Sequence, residues 1–278
     1  MPKLSVFVTT FNNADTLDAC LGGAGFADEI VVLDSFSTDD TLDIARNHDA
    51  QIHQHRFLGY GPQKQMALEH TRYDWVLLLD ADEVISPELG EEIRELMRSD
   101  PPAAGYELAR REQIFWKMSS PGVRWNYYLR LFDKRHGSVS DMPIHAAPKV
   151  SGRVERLEHC FWHFGERSVH IKVDKVNQYS SGLVQDKVAK NKRANPLTLI
   201  IYPPFVFVRS FIFKRAFLDG WAGFIASVVM AFYAFLRYAK LYEHEMIRRH
   251  GANLLPGGGP EAVLEEFSKR RGTPSQQK

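Results

Sequence analysis

Cysteine is scarce in this chain of 278 residues, which contains only Cys20 and Cys160. The two lie far apart, so the sequence predicts neither a disulfide framework nor a zinc cluster, and it favours a reducing compartment. The sequence also predicts no leader peptide, because a strand-like run over residues 4–10 follows directly after Met1-Pro2-Lys3. We therefore expect the protein to begin in the cytoplasm.

Net charge is nearly absent, at +1, but the charges are unevenly distributed. Residues 1–100 carry 19 acidic and 7 basic side chains, whereas residues 187–249 carry 3 acidic and 11 basic ones. The basic residues alternate with long apolar stretches and do not form the solvated stripe of a nucleic-acid-binding surface. We expect no nucleic-acid partner, and we predict that the basic half faces anionic lipid headgroups.

Strand-like and helix-like segments alternate through the first hundred residues. Apolar runs predict strands at residues 4–10, 29–34 and 75–79, with a weaker strand near 51–57. Because each crossover between parallel strands needs a helix, this alternation indicates a parallel sheet. No glycine-rich loop with an adjacent arginine follows the first strand, which argues against a nucleotidyltransferase. Ser37 and Asp40 have the spacing of a capping box before the second helix.

The pattern along the chain predicts three regions. Residues 1–165 form one α/β domain, in which strands and helices alternate over 1–100 and shorter extended runs follow over 101–165. Residues 166–250 are predicted to be a helical, membrane-associating region. The glycine- and proline-rich residues 251–278 are predicted to be a flexible tail.

The carboxyl-terminal region contains apolar runs that are short for a membrane span. Residues 220–236 are 17 consecutive uncharged residues, whereas a spanning helix needs about 20. Residues 196–213 are also largely apolar. A buried core helix is the alternative for both runs. The basic flanks favour helices that lie in the lipid interface, so we expect peripheral or monotopic association.

Two carboxylates, Asp80 and Asp82, follow the apolar strand 75–79 one residue apart. We expect them at the carboxyl end of the strand, where open α/β sheets place ligands. Hard oxygen ligands of this kind suit Mg²⁺ or Mn²⁺ that holds a phosphate. The alternative is a turn pair before a helix, since Ser86-Pro87 is a good helix start.

Three strand ends together carry a resemblance to a known family. They are Thr9-Thr10-Phe11-Asn12, Asp34-Ser35 and Asp80-Ala81-Asp82. The chain thereby resembles family 2 glycosyltransferases with the GT-A fold, with Thr9 in place of the usual Pro and Ser35-Phe36 in place of Asp-Gly. The segments 59–65 and 217–224 are similar to the bacterial lipopolysaccharide core β-1,4-glucosyltransferase group. The resemblance implies an α/β fold: a GT-A mixed sheet flanked by helices, followed by the helical region. It also implies that residues 1–165 are the catalytic domain, with 1–100 as its nucleotide-sugar half and 101–165 as its acceptor half.

The resemblance also implies roles for individual residues. Thr10 would line the nucleotide pocket, and Asp34 would accept hydrogen bonds from the uracil or ribose. Lys64, on the loop of residues 59–65, would meet the diphosphate. Asp80 would contact the ribose or bind the metal through water, and Asp82 would hold Mg²⁺ or Mn²⁺. The alternatives are a turn residue for Asp34 and a solvated side chain for Lys64.

An inverting transfer needs a base that takes the proton from the acceptor hydroxyl. The candidates are Asp141 and His145. Related enzymes have His-Glu at this point, whereas this chain has His145-Ala146, so we favour Asp141. His159 and His163 are further candidates for contacts to the metal or a phosphate. The alternative is that each is a structural histidine.

The resemblance implies an enzyme at the cytoplasmic face of the inner membrane. It would transfer a hexose, with glucose as the first choice, from a UDP-sugar to a lipid-linked glycan such as lipopolysaccharide inner core. Transfer to polyprenyl phosphate is an enzymatic alternative, and a non-catalytic, membrane-bound sugar-binding scaffold is another. A homo-oligomer is left open.

Overall fold

The computed structural model describes residues 1–139, 147–190, 193 and 195–250. The chain forms two compact units, the first over Met1–Arg167 and the second from Ser168 onward. The domain boundaries predicted from the sequence remain predictions.

Strands and helices alternate through the first part of unit one, and strands dominate the rest. In chain order the elements are β1 (Leu4–Thr10), α1 (Ala14–Gly23), β2 (Glu29–Asp34), α2 (Thr41–Asn47), β3 (Gln51–Gln54), α3 (Tyr60–Glu69), β4 (Trp75–Asp80), β5 (Glu83–Ile85), α4 (Pro87–Arg98), β6 (Gly105–Ile114), β7 (Lys117–Met118), β8 (Asn126–Asp133), β9 (Gly137–Val139), β10 (Pro148–Val150) and β11 (Val154–His163). This confirms the predicted α/β class.

One mixed sheet organises the first unit. In the described part of the chain its strand order is β3-β2-β1-β4-β8-β6-β11-β5, with β7 paired to β6 outside this path. The strands β3, β2, β1 and β4 run parallel, and β8 pairs antiparallel with both β4 and β6. The parallel half therefore collects the carboxyl ends of β1, β2 and β4 at one edge of the sheet.

The sheet buries apolar side chains on both of its faces, as β4 illustrates. Trp75, Leu77 and Leu79 pack into one core cluster, and Val76 and Leu78 pack into the other. Successive strand residues point to opposite faces, so a continuous apolar run is what a sheet covered on both sides requires. Burial of these side chains holds the end of β4 rigidly in place.

The starts of two helices show which local signals act in the structure. Ser86 caps α4, because its hydroxyl accepts a hydrogen bond from the backbone N–H of Leu89 at 3.2 Å. The capping box predicted for α2 is wrong. Asp40 precedes that helix without a side-chain cap, and the Ser37 hydroxyl donates to Asp34 instead.

The second unit is helical in the residues that the structure describes. Its elements are α5 (Val169–Ala189), α6 (Pro196–Val208), a π-helical turn (Arg209–Phe213), a 3-10 turn (Ala216–Asp219) and α7 (Gly220–His250). Gly220 has a positive φ of 60° where the 3-10 turn meets α7. A Cβ on Gly223 would lie 1.8 Å from the carbonyl oxygen of Ala216, so this glycine lets the turn pack directly on α7.

The helices α6 and α7 pack against each other antiparallel. Tyr202 contacts Tyr238 at a ring separation of 5.5 Å, and Phe207 contacts Phe224 at 5.7 Å. By length and composition, two described helical stretches are apolar enough to cross a membrane, Pro196–Phe213 and Ala216–Arg249. None of the apolar window in the first stretch is buried, and 28% of that in the second is. The uncharged run 220–236 is thus part of a longer helix.

Candidate active site

The ends of three parallel strands meet at one edge of the sheet. Thr10 in β1 lies opposite Asp34 in β2, and Thr9 lies opposite Asp80 in β4. The register therefore brings three of the residues singled out in the sequence side by side. This is the edge at which open α/β sheets bind ligands.

Thr10 and Asp34 are both buried and hydrogen-bonded. The Thr10 hydroxyl donates to Asn13 Oδ1 at 3.0 Å. The Asp34 carboxylate accepts from the Ser37 backbone N–H at 2.9 Å, from the Ser37 hydroxyl, and from Gln54 Nε2 at 2.9 Å. Asp34 thereby fixes the loop that follows β2. Its contact with a nucleotide remains a prediction.

Lys64 lies on the buried face of α3. Its Nζ atom is 2.5 Å from Asp80 Oδ1, and its side chain is 8% exposed. The solvated alternative for Lys64 is therefore wrong. The ammonium group lies at the end of β4, where the diphosphate was expected.

Arg130 holds the second oxygen of Asp80. Its Nη2 atom lies 3.1 Å from Asp80 Oδ2 and 2.5 Å from Glu83 Oε1. Glu83 in turn accepts the backbone N–H of Asp80 at 3.0 Å. Tyr106 pairs with Leu131 but the next residue of β6 pairs with Leu129, so Arg130 lies at a bulge of β8. A bulge re-aims a side chain, here towards the two carboxylates.

The electrostatics of this cluster keep Asp80 charged. Burial disfavours its anionic form, but the charges of Lys64 and Arg130 outweigh burial and hold the pKa of Asp80 well below its usual range. Burial raises the pKa of Glu83, and the neighbouring Asp80 charge adds to that effect, while Arg130 opposes it. The pKa of Arg130 is raised by the two carboxylates despite its burial. Asp80 is thus a fixed negative charge between two cations.

Asp82 belongs to a second cluster at the same edge. The Nε2 atom of His163 lies 3.4 Å from Asp82 Oδ2, and its Nδ1 lies 2.6 Å from Glu112 Oε2. Burial opposes protonation of His163, but hydrogen bonds to the two carboxylates raise its pKa to about 10. His163 and Arg110 together lower the pKa of Glu112 to about 2, against the effect of burial. Glu112 therefore orients the His163 ring towards Asp82.

The pair Asp82 and His163 suits a divalent cation, which would take the place of the ring proton that His163 carries in its absence. A Cβ on Gly165 would lie 2.7 Å from His163 Nε2 and 3.1 Å from Asp82 Oδ2, so this glycine leaves space beside both atoms. Among the residues that the structure describes, no three His, Cys, Asp or Glu side chains form a complete metal site. Two protein ligands suffice for an ion that substrate phosphates and water also bind. Asp80 faces two cations, which disfavours direct metal ligation by it.

Several residues of the site were not singled out in the sequence. Arg110 and Glu112 come from β6 and Arg130 comes from β8. The visible signal was a charged residue inside an apolar strand, as in Leu129-Arg130-Leu131. The predicted bases Asp141 and His145 lie outside the described residues. His159 contacts Glu92 on α4 instead of this site.

Comparisons with known proteins agree with this arrangement. The chain matches glycosyl transferase family 2 over residues 5–149. It is 30% identical over 258 residues to the lipopolysaccharide core biosynthesis glycosyltransferase LpsC of Rhizobium meliloti, a match that covers 89% of this chain and 96% of that protein. It is also 30% identical over 259 residues to an uncharacterized glycosyltransferase of Rickettsia felis, covering 87% of this chain and 90% of that one.

Solved structures show more distant similarity. The first 349 residues of S. aureus TarS match 91% of this chain and 93% of that chain, with 17% identity and a TM-score of 0.44. Glucosyl-3-phosphoglycerate synthase from Mycobacterium tuberculosis, in complex with Mn²⁺, UDP and glucosyl-3-phosphoglycerate, matches 40% of this chain with 21% identity and a TM-score of 0.34. This chain spans 44% of the length of that protein.

The family match and the sequence relatives confirm what the motifs indicated. The family match covers residues 5–149, which include Thr10, Asp34, Asp80 and Asp82. The mixed sheet flanked by helices is the GT-A class that the resemblance implied, and the similarity to a lipopolysaccharide core enzyme agrees with the subgroup. The chain belongs to glycosyltransferase family 2.

Proposed function

We propose that this protein is a metal-dependent, inverting glycosyltransferase. It transfers a hexose, glucose in the first instance, from a UDP-sugar to a lipid-linked glycan such as lipopolysaccharide inner core. The observation that carries the proposal is the pair Asp82 and His163, 3.4 Å apart, at the same sheet edge as the Lys64–Asp80 ion pair. The relative LpsC, which is named for lipopolysaccharide core biosynthesis, supports the choice of acceptor.

Each charged group at this edge has a separate task in the proposal. Asp82 and His163 hold Mg²⁺ or Mn²⁺, and Lys64 meets the diphosphate from α3. Asp80 stays charged between Lys64 and Arg130 and receives the ribose hydroxyls, while Thr10 and Asp34 lie on the nucleoside side. When bound, the ion supplies positive charge that stabilises the departing nucleoside diphosphate.

The acceptor hydroxyl needs a base on the face opposite the leaving group. Asp141 remains our proposal for this role, with His145 as the alternative. A carboxylate within hydrogen-bond reach of the hydroxyl would remove its proton as the new glycosidic bond forms. Neither residue lies in the described part of the chain, so the support for Asp141 is the sequence resemblance alone.

A lipid-linked acceptor accounts for the exposed apolar helices of the second unit. Ile200, Ile201 and Phe205 on α6 and Trp221 on α7 are all more than half exposed, which is unusual for a protein surrounded only by water. Lys214 and Arg215 lie between the two apolar stretches, and basic residues in this position attract anionic headgroups. We place the protein on the cytoplasmic face of the inner membrane, associated as a monotopic or peripheral protein.

Identification of the product tests this function. Purified full-length protein is incubated with labelled UDP-glucose, Mn²⁺ and either lipopolysaccharide inner core or polyprenyl phosphate, and the labelled lipid is isolated. We expect a glycan product that survives the mild acid treatment that cleaves polyprenyl-phosphate sugars. Label only in the acid-labile fraction would support the polyprenyl alternative, and label in neither fraction with any UDP-hexose would support the non-catalytic scaffold.

A further inference from the structure

Arg110 lies between the two ionic clusters at the sheet edge. Its Nη1 atom is 3.8 Å from Glu83 Oε1, in the cluster that holds Asp80. Its Nη2 atom is 2.6 Å from Glu112 Oε1, and its Nε–H donates to the same oxygen at 2.7 Å. Glu112 in turn contacts His163. One guanidinium therefore contacts a partner of Asp80 on one side and a partner of His163 on the other.

The strand register explains this position. Glu83 in β5 and Glu112 in β6 are both direct register neighbours of His163 in β11, so the two carboxylates flank the histidine in one row across three strands. Arg110 precedes Glu112 by two residues in β6 and therefore lies on the same face of the sheet. From this position its side chain reaches both carboxylates of the row.

The orientation of the Arg110 guanidinium is well defined. It stacks over the Tyr128 ring at 4.1 Å, and the side chain is only 19% exposed. It grips Glu112 Oε1 with two nitrogens, while Glu112 Oε2 lies 2.6 Å from His163 Nδ1. An arginine keeps its charge throughout the working pH range of a protein. Glu112 is therefore held through one oxygen whatever group His163 binds.

A histidine that binds a metal depends on the partner of its other ring nitrogen. That partner sets the orientation of the ring, and its own placement is set by further hydrogen bonds. Here Glu112 orients His163 towards Asp82, and Arg110 keeps the Glu112 carboxylate from rotating away. The order of the ion pairs thus runs from the guanidinium through Glu112 to the pair that suits a divalent cation.

We propose that Arg110 is a positioning residue for the divalent cation. It acts through Glu112, which it holds so that His163 Nε2 faces Asp82. Its contact with Glu83 joins this arrangement to the cluster around Asp80, so that the ion site and the diphosphate side of the edge keep one geometry. This role rests on the proposed metal-dependent function.

The charge of Arg110 alone predicts the opposite effect. A cation near a metal site repels the ion, so loss of Arg110 would raise the affinity for Mn²⁺ if its charge were all that mattered. If Arg110 positions Glu112, its loss lowers the affinity, because the His163 ring is no longer held towards Asp82. The sign of the change separates the two roles.

Titration of the full-length protein with Mn²⁺ in the presence of UDP, followed by electron paramagnetic resonance, measures this sign. Arg110→Met should lower the affinity for Mn²⁺ about fivefold, less than replacement of Glu112 itself, because it acts one contact further from the ion. Arg110→Lys keeps the charge but lacks the planar fork and the flat face that stacks on Tyr128. Its affinity should fall between those of the wild type and Arg110→Met. An unchanged or higher affinity in Arg110→Met would overturn the proposal.

The next residue of the same strand provides the control. Arg111 lies on the opposite face of β6, where its Nε–H donates to the backbone carbonyl of Ser119 at 2.6 Å. Arg111→Met removes the same charge from the same strand, and it should bind Mn²⁺ as the wild type does. An equal loss of affinity in Arg110→Met and Arg111→Met would assign the effect to general disturbance of β6 and overturn the role of Arg110.

A double variant tests whether Arg110 acts through Glu112. In the Glu112→Gln protein, Arg110→Met should cause little further loss of Mn²⁺ affinity, because residues that act through one another have non-additive effects. Losses that multiply in the double variant would show that Arg110 acts by another route and would contradict the proposal.

Proton NMR of the metal-free protein gives a readout that needs neither the ion nor activity. The Nδ1–H of His163, bonded to Glu112, should give a downfield signal that is absent from His163→Gln. We expect the signal to broaden or disappear in Arg110→Met and to persist in Arg111→Met, while the remaining spectrum reports whether each variant is folded. A sharp, unshifted signal in Arg110→Met would overturn the proposal.

The wild type separates this inference from the proposed function. Wild-type protein that neither binds Mn²⁺ with UDP nor turns over any UDP-hexose would refute the proposed function. Wild-type protein that does both, with the same Mn²⁺ affinity in Arg110→Met, would refute the role of Arg110 and leave the transferase intact.

Discussion

Lys64 Nζ lies 2.5 Å from Asp80 Oδ1, while Arg130 Nη2 approaches the other oxygen of the same carboxylate at 3.1 Å. Asp80 is therefore held from two sides at the end of β4. This relationship separates the two carboxylates of the Asp-x-Asp motif. Asp80 is part of a buried ionic cluster, and Asp82 faces His163 and the space beside Gly165.

Arg130→Met should destabilise the protein. It leaves one oxygen of Asp80 without its cation and leaves the buried Glu83 with only the more distant Arg110, at 3.8 Å, and breaking a buried pair in this way costs about 3–5 kcal/mol. Arg98→Met is the matched control, because the Arg98–Glu95 pair is exposed and such pairs contribute little. Urea unfolding of both variants measures the difference. Equal stabilities for the two variants would mean that the buried cluster contributes no more than a surface pair.

Gly165→Ala should remove cation binding while the fold is kept. Its Cβ would crowd His163 Nε2 and Asp82 Oδ2 at 2.7 and 3.1 Å, closing the space that the ion needs. Gly22→Ala is the control, since its Cβ would meet only His48 at 3.8 Å. Binding of Mn²⁺ in the presence of UDP, followed by electron paramagnetic resonance, should be lost in the first variant and retained in the second. If Gly165→Ala binds Mn²⁺ as the wild type does, the ion binds elsewhere in the protein.

Glu112→Gln should lower the affinity for the ion without preventing its binding. Glu112 accepts from His163 Nδ1 at 2.6 Å, and partners that orient a metal-ligating histidine contribute about 10–100-fold in affinity. We expect the affinity for Mn²⁺ to fall by a factor at the lower end of that range, as measured by titration with UDP present. Asp82→Asn should lose more. If Glu112→Gln binds Mn²⁺ as tightly as the wild type, His163 is not a ligand.

Negative charge on α6 should detach the protein from membranes. Ile201 and Phe205 are 64% and 55% exposed, so Ile201→Glu with Phe205→Glu disturbs no core and opposes insertion among lipids. We expect the wild type, and a Phe57→Glu control on the first unit, to float with anionic liposomes at low and high salt. The double variant should remain in the soluble fraction. Release of the wild type by salt alone would mean that the basic residues dominate binding.

The sequence predicted the strands of the parallel half well because their signals are local. Residues 4–10 and 29–34 are short segments rich in valine and other apolar residues, and both form the strands expected of them. Arg130 could not be placed, because a bulge in β8 decides where it points. The contact between Glu112 and His163 joins residues 51 positions apart, and it depends on the register of β6 and β11. Ser37 has the spacing of a helix cap, but its hydroxyl donates to the nearby buried carboxylate of Asp34 instead.

Turnover of UDP-hexoses by wild type and Asp82→Asn, with and without Mn²⁺, tests the central claim most directly. The account predicts hydrolysis or transfer with at least one UDP-hexose, dependence on the added ion, and loss of both in Asp82→Asn while the protein remains folded. Activity in Asp82→Asn equal to that of the wild type, or activity of the wild type that persists in a chelator, would contradict the assignment of Asp82 to the metal and diphosphate site.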